Sequence, residues 1–372
     1  MFVCLLSVAP ALGRADQKPH VAEDVFKNIQ VLKGISVTEL MGTMGFFSAS
    51  LGLNCTDCHV SESSGDWARY ADDTPLKRTA RMMILMVNNL NKSAFGGGRA
   101  VTCYTCHRGV ARPKVIPSLA EQYSVPPPDD PNEIEIRSQA SATASVEQIL
   151  DRYIQAIGGA ERLAKVTSFT ARGTYQGYDT DSEKVPVEIF AKAPGQRTTI
   201  VHLGIGDSTT TYDGRKGWIA APDKPLPFLT LGGEDLDGLQ LDAELAFPGT
   251  IQKMLSRWRG GFPNAAIGGR EVQIIQGTAA RGSRVKLFFD KQSGLLVRVL
   301  LYTDTAVGVN PTQTDYSDYR EVAGVKMPFR WIVTWTDGQS TTELTEVRPN
   351  VVIDAVKFAQ PAPAMPPKST AQ

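Results

Sequence analysis

Histidine and cysteine are scarce in this chain, which has 4 His and 5 Cys among 372 residues. A charge excess is also missing, because 39 Lys and Arg residues match 39 Asp and Glu residues. A formal net charge of zero excludes the broad basic field that nucleic-acid binding normally requires. No apolar run approaches the about 18 residues of a membrane-spanning helix, so no transmembrane helix is predicted. The 42% of hydrophobic residues suffices for the cores of two or three domains.

Most of the scarce residues lie in two copies of one five-residue pattern. The copies are Cys55-Thr56-Asp57-Cys58-His59 and Cys103-Tyr104-Thr105-Cys106-His107. In Cys-x-x-Cys-His, two thiols one helical turn apart can add to the two vinyl groups of a haem, and the adjacent His can ligate its iron. The pattern predicts two covalently attached haem c groups, with His59 and His107 as axial iron ligands.

Paired cysteines also occur in zinc sites and in redox sites. Two Cys-x-x-Cys pairs could form a zinc site, but zinc does not need a His after each pair. A thioredoxin-like redox site uses one such pair at a helix start in an α/β frame, whereas this chain has two pairs in a helical, Met-rich frame.

The first thirteen residues form an apolar run, followed by Gly-Arg-Ala-Asp. This pattern is typical of a secretory signal peptide, here residues 1–15 with cleavage near Ala15. We therefore expect the protein in the periplasm or elsewhere outside the cytoplasm, where haem c is attached. Cys4 is either removed with this leader or carries a lipid that keeps the protein at a membrane.

A linker rich in Pro, Ser and Ala divides the rest of the chain. We predict a diheme cytochrome c domain at 16–115, the linker at 116–145, a sheet domain at 146–358 and a disordered Pro-rich tail at 359–372. Residues 1–115 carry 13 Lys and Arg against 9 Asp and Glu, a net charge of +4, so the remainder carries −4. The four propionates of two haems would roughly neutralise the first domain.

Hydrophobic periodicity predicts helices in the first domain and mostly strands in the second. The predicted helices are 21–33, 37–51 and about 74–95, then 146–157 with a continuation to about 166. The predicted strands are 168–175, 185–191, 197–203, 208–213, 216–220, 272–277, 283–290, 295–303, 312–322, 329–335 and 340–347, with one helical interruption at about 242–258. The fold class is therefore multidomain: a mainly α diheme module, then an α+β domain with a large curved antiparallel sheet and helices on its concave face.

The sixth iron ligand can be sought by elimination, because only His20 and His202 remain once the motifs are counted. Methionine is the better candidate, since a helix carrying Met precedes each motif. The candidates are Met41 and Met44 for the first haem, and Met82, Met83 and Met86 for the second. The alternative is that these methionines fill irregular space in the core.

Several strings around the motifs resemble the cytochrome c subunit of photosynthetic reaction centres. They are Asn28-Ile29-Gln30-Val31-Leu32, Met44 after Thr43, Arg81-Met82-Met83 with Asn91, and Val101-Thr102-Cys103-Tyr104-Thr105-Cys106-His107-Arg108-Gly109. The resemblance covers roughly residues 21–115. It implies electron transfer and a Met ligand on each preceding helix, Met44 for the first haem and Met83 for the second. Better-known members carry four haems, so this chain resembles one half of such a subunit.

Other residues have less specific interpretations. The arginines are either propionate partners or solvated: Arg69, Arg81, Arg99, Arg108 and Arg112. The tryptophans are core residues or line a ligand cavity: Trp218, Trp258, Trp331 and Trp335. The stretch from Asp315 to Arg320 and Val325-Lys326-Met327-Pro328 weakly resembles lipoprotein-carrier-like proteins, whose curved sheet shelters an apolar ligand.

These patterns favour an electron-transfer protein over an enzyme. We expect a diheme c-type cytochrome that carries single electrons between redox protein partners, which include a membrane-bound complex, and that binds no nucleic acid. The alternatives are a diheme peroxidase with one open iron site, and a cytochrome whose C-terminal domain binds a lipid or quinone or docks on a membrane complex.

Overall fold

The computed structural model describes residues 19–122, 124–125, 130–134, 144–222, 224–263 and 265–361. The expected signal peptide with Cys4, much of the linker and the tail beyond residue 361 lie outside the described residues. Within the described ranges, none of the helices has the length and apolarity needed to cross a membrane.

The N-terminal module is built from short helices and two longer ones. They are α1 (Ala22–Val25), α2 (Val37–Leu51), α3 (Cys55–Cys58), α4 (Pro75–Ala94), α5 (Cys103–His107) and α6 (Leu119–Gln122), with 3-10 turns at Ser61–Ser64 and Trp67–Ala71. The prediction of a helix over 21–33 is wrong, because only α1 is helical. Asn28 takes a left-handed φ of 63°. Its amide donates to the carbonyl of Ala71 at 2.7 Å and to Asp73 at 2.9 Å, and these tertiary bonds replace the helix.

Both longer helices begin and end at residues suited to those positions. Ser36 caps α2 by accepting a hydrogen bond from the backbone N–H of Glu39 at 3.0 Å. Gly52 ends α2 with a φ of 63°. A Cβ atom at this residue would also collide with the carbonyl oxygen of Gly109, so Gly52 both ends the helix and lets the second motif approach it. Thr74 caps α4, with Pro75 in the first turn.

The described residues of the C-terminal domain form four α-helices and one sheet. The helices are α7 (Val146–Ala156), α8 (Ala160–Lys165), α9 (Gly233–Leu245) and α10 (Ile251–Met254). The strands are β1 (Ser168–Gly177), β2 (Val185–Lys192), β3 (Gln196–Leu203), β4 (Gly206–Tyr212), β5 (Gly217–Ala220), β6 (Phe228–Leu231), β7 (Ser256–Arg259), β8 (Ala265–Ile267), β9 (Arg270–Thr278), β10 (Arg284–Asp290), β11 (Leu296–Asp304), β12 (Val309–Val322), β13 (Val325–Trp335) and β14 (Gly338–Pro349). Among the described residues the order is β6-β5-β4-β3-β2-β1-β14-β13-β12-β11-β10-β9-β7, and β8 pairs with β9.

The middle of this domain differs from the sequence-based prediction. The helical interruption expected at about 242–258 begins earlier, as α9, and part of it forms the strand β7. The strands β6, β7 and β8 had not been predicted. Gly232, Gly233 and Gly238 lower the helix propensity of this stretch, but α9 buries Leu236 and Leu241 against the sheet. Tertiary packing therefore decides its conformation.

The sheet is curved around α9. This helix contacts β3 and β4 on one side and β11 on the other. Because β3 and β11 are six positions apart in the sheet, a flat sheet would separate them by about 29 Å, at about 4.8 Å per strand. The same concave face packs against α7, which buries Ile149, Leu150 and Tyr153. The predicted fold class, a helical module followed by an α+β domain with a large antiparallel sheet, is confirmed.

The N-terminal module is attached to the turn between β11 and β12. Val307 of this turn belongs to the same buried cluster as Leu40 and Phe46 of α2 and Ile84 of α4. The ring of Phe46 lies directly against Gly308, where a Cβ atom would overlap it. The module therefore completes its core with side chains of the sheet domain.

Polar contacts surround this apolar attachment. Arg99 donates to the carbonyls of Thr305 and Gly308 and pairs with Asp304 at 2.8 Å. Asn310 donates to the carbonyl of Gly42 at 2.7 Å. Burial raises the pKa of Glu39 at this interface, and the positive charge of Arg99 opposes that shift. Arg99 thus offsets the negative charge gathered at this interface.

A methyl group at residue 308 tests the attachment. We expect Gly308→Ala to lower the free energy of unfolding by about 1–3 kcal/mol, because the added Cβ overlaps the Phe46 ring. Gly204→Ala is the control, since a Cβ there meets nothing within 4 Å. Urea unfolding measures both, and Phe46→Leu should restore part of the loss in the double variant. Equal stability of the two alanine variants would contradict the proposed contact.

Candidate functional site

The two Cys motifs form short helices that begin with the same type of cap. In α3, Asn54 accepts from the N–H of Asp57 at 3.1 Å and its own N–H donates to the Asp57 carboxylate at 2.8 Å. In α5, Thr102 and Thr105 exchange the equivalent bonds at 3.0 and 3.4 Å. Two reciprocal bonds fix each helix start. The two cysteines of each motif are therefore held one turn apart, as double attachment to one haem requires.

The four motif cysteines are free thiols in two separate places. Burial raises the pKa of Cys55, Cys58 and Cys103, and the charge of Asp337 on the β13–β14 turn adds to the shift at Cys55. Within the part of the chain that the structure describes, no three His, Cys, Asp or Glu side chains are grouped closely enough to hold a metal ion. The two pairs do not come together as the zinc interpretation requires.

Each motif histidine is oriented by a backbone carbonyl. Nδ1 of His59 lies 3.2 Å from the carbonyl oxygen of Tyr70, and Nδ1 of His107 lies 3.0 Å from that of Val110. A carbonyl can only accept, so Nδ1 donates and Nε2 keeps its lone pair for a metal. The His59 ring also meets the Tyr70 ring edge-on, with centroids 4.8 Å apart. Burial lowers the pKa of His59, which favours the neutral form that ligation requires.

The predicted Met ligands lie on α2 and α4, where apolar side chains are exposed. On α4, Met82 is 60%, Leu85 56%, Met86 52% and Met83 38% exposed. On α2, Met41 is 45% exposed and Met44 is half-buried. Apolar surface concentrated in this way marks a binding site. Free thiols, available imidazole nitrogens and uncovered apolar side chains all fit a haem at each motif.

Helix α4 connects the two motifs. At its start, Thr74 donates to the carbonyl of Cys58 at 2.6 Å. Near its end, the buried Asn91 donates to the carbonyl of Val101 at 2.7 Å and accepts from the N–H of Val101 at 3.0 Å. The segment before the second motif is therefore clamped to the helix that carries Met83.

The predicted propionate partners have different surroundings. Arg69 pairs with Asp72 at 2.9 Å, Arg81 pairs with Asp73 at 2.8 Å, and Arg99 holds the β11–β12 turn. Arg108 and Arg112 are exposed and form no ion pair within the described residues. These last two remain available to an anionic group at the second motif.

The surroundings of the two motifs differ in charge, a difference that the net charge of +4 for residues 1–115 does not show. Residues 54–73 contain five Asp and Glu and one Arg, whereas residues 74–120 contain eight Lys and Arg and no acidic residue. Within the described residues, Arg78, Lys92, Arg108 and Arg112 are exposed and have no ion pair.

At the start of α4, Lys77 donates to the carbonyls of Tyr70 and Asp72, and Arg81 pairs with Asp73, so these cations lie beside the first motif. The surroundings of the first motif are therefore nearly neutral, whereas the second motif lies in a basic region. A count of charges motif by motif would have found this basic region from the sequence.

The sheet domain contains a cavity of about 300 Å³ on its concave face. Its lining is mostly apolar and includes Phe169, Ile189 and Trp331. Trp218 is a core residue, only 2% exposed, and Trp258 packs against the core beneath α7. His202 hydrogen bonds to Asp207 at 2.8 Å on the sheet, which places it outside the haem module.

Removal of the Asn91 clamp should loosen the second motif. We expect Asn91→Ala to lower the free energy of unfolding by about 2 kcal/mol, because two hydrogen bonds at a buried position are lost. Asn89→Ala on the exposed face of the same helix is the matched control. Chemical denaturation compares the variants, and an unchanged stability of Asn91→Ala would show that the clamp does not fix this segment.

The sheet domain aligns with known structures at low identity. A LolA superfamily protein from Nitrosomonas europaea matches 59% of this chain and 99% of its own length, with 12% identity and a TM-score of 0.39. A putative outer membrane lipoprotein-sorting protein domain from Vibrio parahaemolyticus matches 57% of this chain and 94% of its own length, with 10% identity and a TM-score of 0.38.

The N-terminal region matches a family in sequence. The family model of the photosynthetic reaction centre cytochrome C subunit matches residues 6–154. The cytochrome c subunit of Thermochromatium tepidum is 39% identical over 108 residues, which are 28% of this chain and 26% of that protein. The subunit of Rubrivivax gelatinosus is 31% identical over 97 residues, 22% of this chain and 26% of that protein. The chain thus spans about a quarter of these relatives, and its N-terminal module is similar to the photosynthetic reaction centre cytochrome c subunit, as the motifs predict.

Proposed function

We propose that this protein is a diheme c-type cytochrome that carries single electrons between redox partners in the periplasm or elsewhere outside the cytoplasm. The observation that carries the proposal is the repeated unit of a Met-bearing helix followed by a capped Cys-x-x-Cys-His helix. Haem c, when bound, supplies an iron that takes up and releases one electron. Sequence similarity to the cytochrome c subunits supports the same conclusion.

The residues of the chain would bind and orient the two haems. Cys55 and Cys58 hold the first haem and Cys103 and Cys106 the second, while His59 and His107 present Nε2 to the irons. The carbonyls of Tyr70 and Val110 keep each imidazole in the required tautomer.

Methionine is the proposed sixth ligand at both irons. Met44 is less exposed than Met41, and Met83 is the least exposed methionine of α4. Each lies where its helix turns from its buried face to its open face, so a thioether there can reach a group seated on the helix. A Met ligand at each of the two irons disfavours the peroxidase alternative, which needs one iron with an open coordination site.

The basic region around the second motif favours an acidic redox partner. Exposed Lys92, Arg108 and Arg112 would attract a partner with a negative surface and orient it toward the second haem. Such a partner is a soluble redox protein or a membrane-bound electron-transfer complex.

The sheet domain supports a second, additional role. Its cavity of about 300 Å³ is mostly apolar and is of the size that small ligands occupy. We propose that this domain binds an apolar ligand while the N-terminal module carries electrons.

Haem stoichiometry tests the main proposal. The full chain, matured in a compartment that attaches haem c, should carry two covalent haems by intact mass and by pyridine haemochrome absorbance. The pair Cys55→Ala and Cys58→Ala should leave one haem, as should the pair Cys103→Ala and Cys106→Ala. One or no haem on the unaltered chain would overturn the proposal.

Methionine variants extend the same experiment. Met44→Leu and Met83→Leu should each convert one of the two haems to a high-spin or weakly ligated iron, visible in absorption and electron paramagnetic resonance spectra. Met41→Leu and Met82→Leu are the controls on the same helices and should leave the spectra unchanged. Spectra that respond to the controls instead would reject Met44 and Met83 as ligands.

Small redox reagents test the basic region. Electron exchange with anionic hexacyanoferrate should slow as salt is added, because screening weakens attraction to the basic surface, and exchange with cationic hexaammineruthenium should not slow. Arg108→Glu should slow the anionic reagent by several-fold, whereas Arg215→Glu on the β4–β5 turn should not. A rate with hexacyanoferrate that is independent of salt would contradict an acidic partner.

A further inference from the structure

The lining of the sheet-domain cavity is mostly apolar, with Asp235, Lys326, Thr312 and Thr314 among its polar residues. Three further polar side chains of the lining lie close together. They are Arg197 of β3, Asp242 of α9 and Tyr316 of β12. Loss of water contacts raises the pKa of Asp242, and the charge of Arg197 opposes that shift. Loss of water contacts also raises the pKa of Tyr316, with a smaller contribution from the charge of Asp242. Three elements that are distant in sequence therefore bring a cation, an acid and a phenol to one place.

These side chains leave much of their hydrogen-bonding capacity unused. Arg197 donates to the backbone carbonyl of Asp242 at 3.1 Å, and its guanidinium carbon lies 5.8 Å from the centre of the Trp331 ring. Within the described residues, neither the Asp242 carboxylate nor the Tyr316 hydroxyl has a hydrogen-bond partner or an ion pair. The neighbouring Tyr319 differs, because its hydroxyl already donates a hydrogen bond to the carbonyl of Leu296 at 2.6 Å. Asp242 is exposed and Arg197 and Tyr316 are half-buried, so a ligand that enters the cavity can reach the free polar atoms of all three.

The nearby positive and negative charges of Arg197 and Asp242 restrict the head group of a ligand that can bind there. A carboxylate head would approach Arg197 but meet the negative charge of Asp242, and an amine would approach Asp242 but meet Arg197. An uncharged head with a carbonyl or hydroxyl oxygen can accept from Arg197 or Tyr316, and a hydroxyl can also donate to Asp242. The apolar lining around Phe169, Ile189 and Leu344 would cover the rest of the molecule.

We infer that this cavity binds an uncharged amphiphile whose carbonyl or hydroxyl head is held by Arg197, Asp242 and Tyr316. This assignment rests on the second role proposed above, that the sheet domain binds an apolar ligand. Two sources share the chemistry, a quinone or quinol and a neutral glycerolipid.

The site adjoins the haem module. Asp235 of α9 also lines the cavity and accepts a hydrogen bond from Thr38 of α2 at 2.5 Å. Since α2 also carries Met44, the Thr38–Asp235 hydrogen bond joins the wall of the cavity to the helix of the proposed first haem site.

Ligands with equal chains and different heads test the inference. Calorimetric titration of the full chain with monodecanoylglycerol, a decyl-substituted benzoquinone, decanoate and decylamine compares neutral, anionic and cationic heads on ten-carbon chains. We expect at least one neutral ligand to bind about tenfold more tightly than both charged ones, since about 1.4 kcal/mol corresponds to a factor of ten. The stronger of the two neutral ligands identifies the source. Equal or tighter binding of a charged ligand would overturn the inference.

Substitutions in the cavity test which side chains contact the head group of the ligand. Arg197→Met should weaken the preferred neutral ligand by about tenfold, and Asp242→Asn should weaken monodecanoylglycerol by a similar factor, because its hydroxyl groups donate to the carboxylate. Arg215→Met, the same change as Arg197→Met at an exposed site, should leave affinity unchanged. Val333→Phe should reduce binding of all four ligands by filling the cavity, with thermal melting as the check on folding. Binding that ignores Arg197→Met and Asp242→Asn overturns the head-group assignment, whereas binding of none of the four ligands overturns the ligand-binding role. Haem content, measured on the same samples, reports separately on the cytochrome proposal.

Discussion

The attachment of α2 to the β11–β12 turn is the contact on which the rest of the structure depends. The N-terminal module buries few apolar side chains of its own, and its central cluster is completed by Val307 of the sheet domain. Phe46 can lie against this turn only because residue 308 is glycine. Arg99 closes the contact by binding two carbonyls and one carboxylate of the same turn. The module is therefore held in place by the sheet domain rather than by a self-sufficient core.

The small hydrophobic core of the N-terminal module and the exposed apolar face of α4 have the same explanation. Met82, Leu85 and Met86 on α4 are each more than half exposed, which is costly for a helix in water. A haem seated at each motif would cover such side chains and replace the missing core. Local caps at Asn54 and Thr102 keep the thiols in position without help from packing. Within the proposed function, short-range hydrogen bonds place the ligands and the two haems would supply the apolar volume that the module lacks.

The parts of this structure that could be predicted from the sequence are those whose signal lies in neighbouring residues. The Cys-x-x-Cys-His motifs and the alternating strands from 270 to 349 depend on neighbouring residues, so both could be predicted. The helix at 21–33 was wrong because Asn28 bonds to Ala71 and Asp73, residues more than forty positions away. The start of α9 was missed because packing overrode its glycines. Arg197, Asp242 and Tyr316 have no common motif, and only the curvature of the sheet brings them together.

The division of charge gives the two proposed haems different surroundings. The start of α4 contacts the first motif region through Lys77 and Arg81. Residues 54–81 then sum to −1 and residues 82–120 to +5. Positive surroundings stabilise the reduced form of an iron, because reduction lowers its charge, and negative surroundings stabilise the oxidised form. Within the proposed function, an electron therefore lies lower in free energy at the second haem than at the first. The basic residues that would attract an acidic partner would also stabilise the electron at the second haem, next to that partner. Partner binding and the distribution of the electron between the two haems therefore depend on the same exposed arginines and lysines.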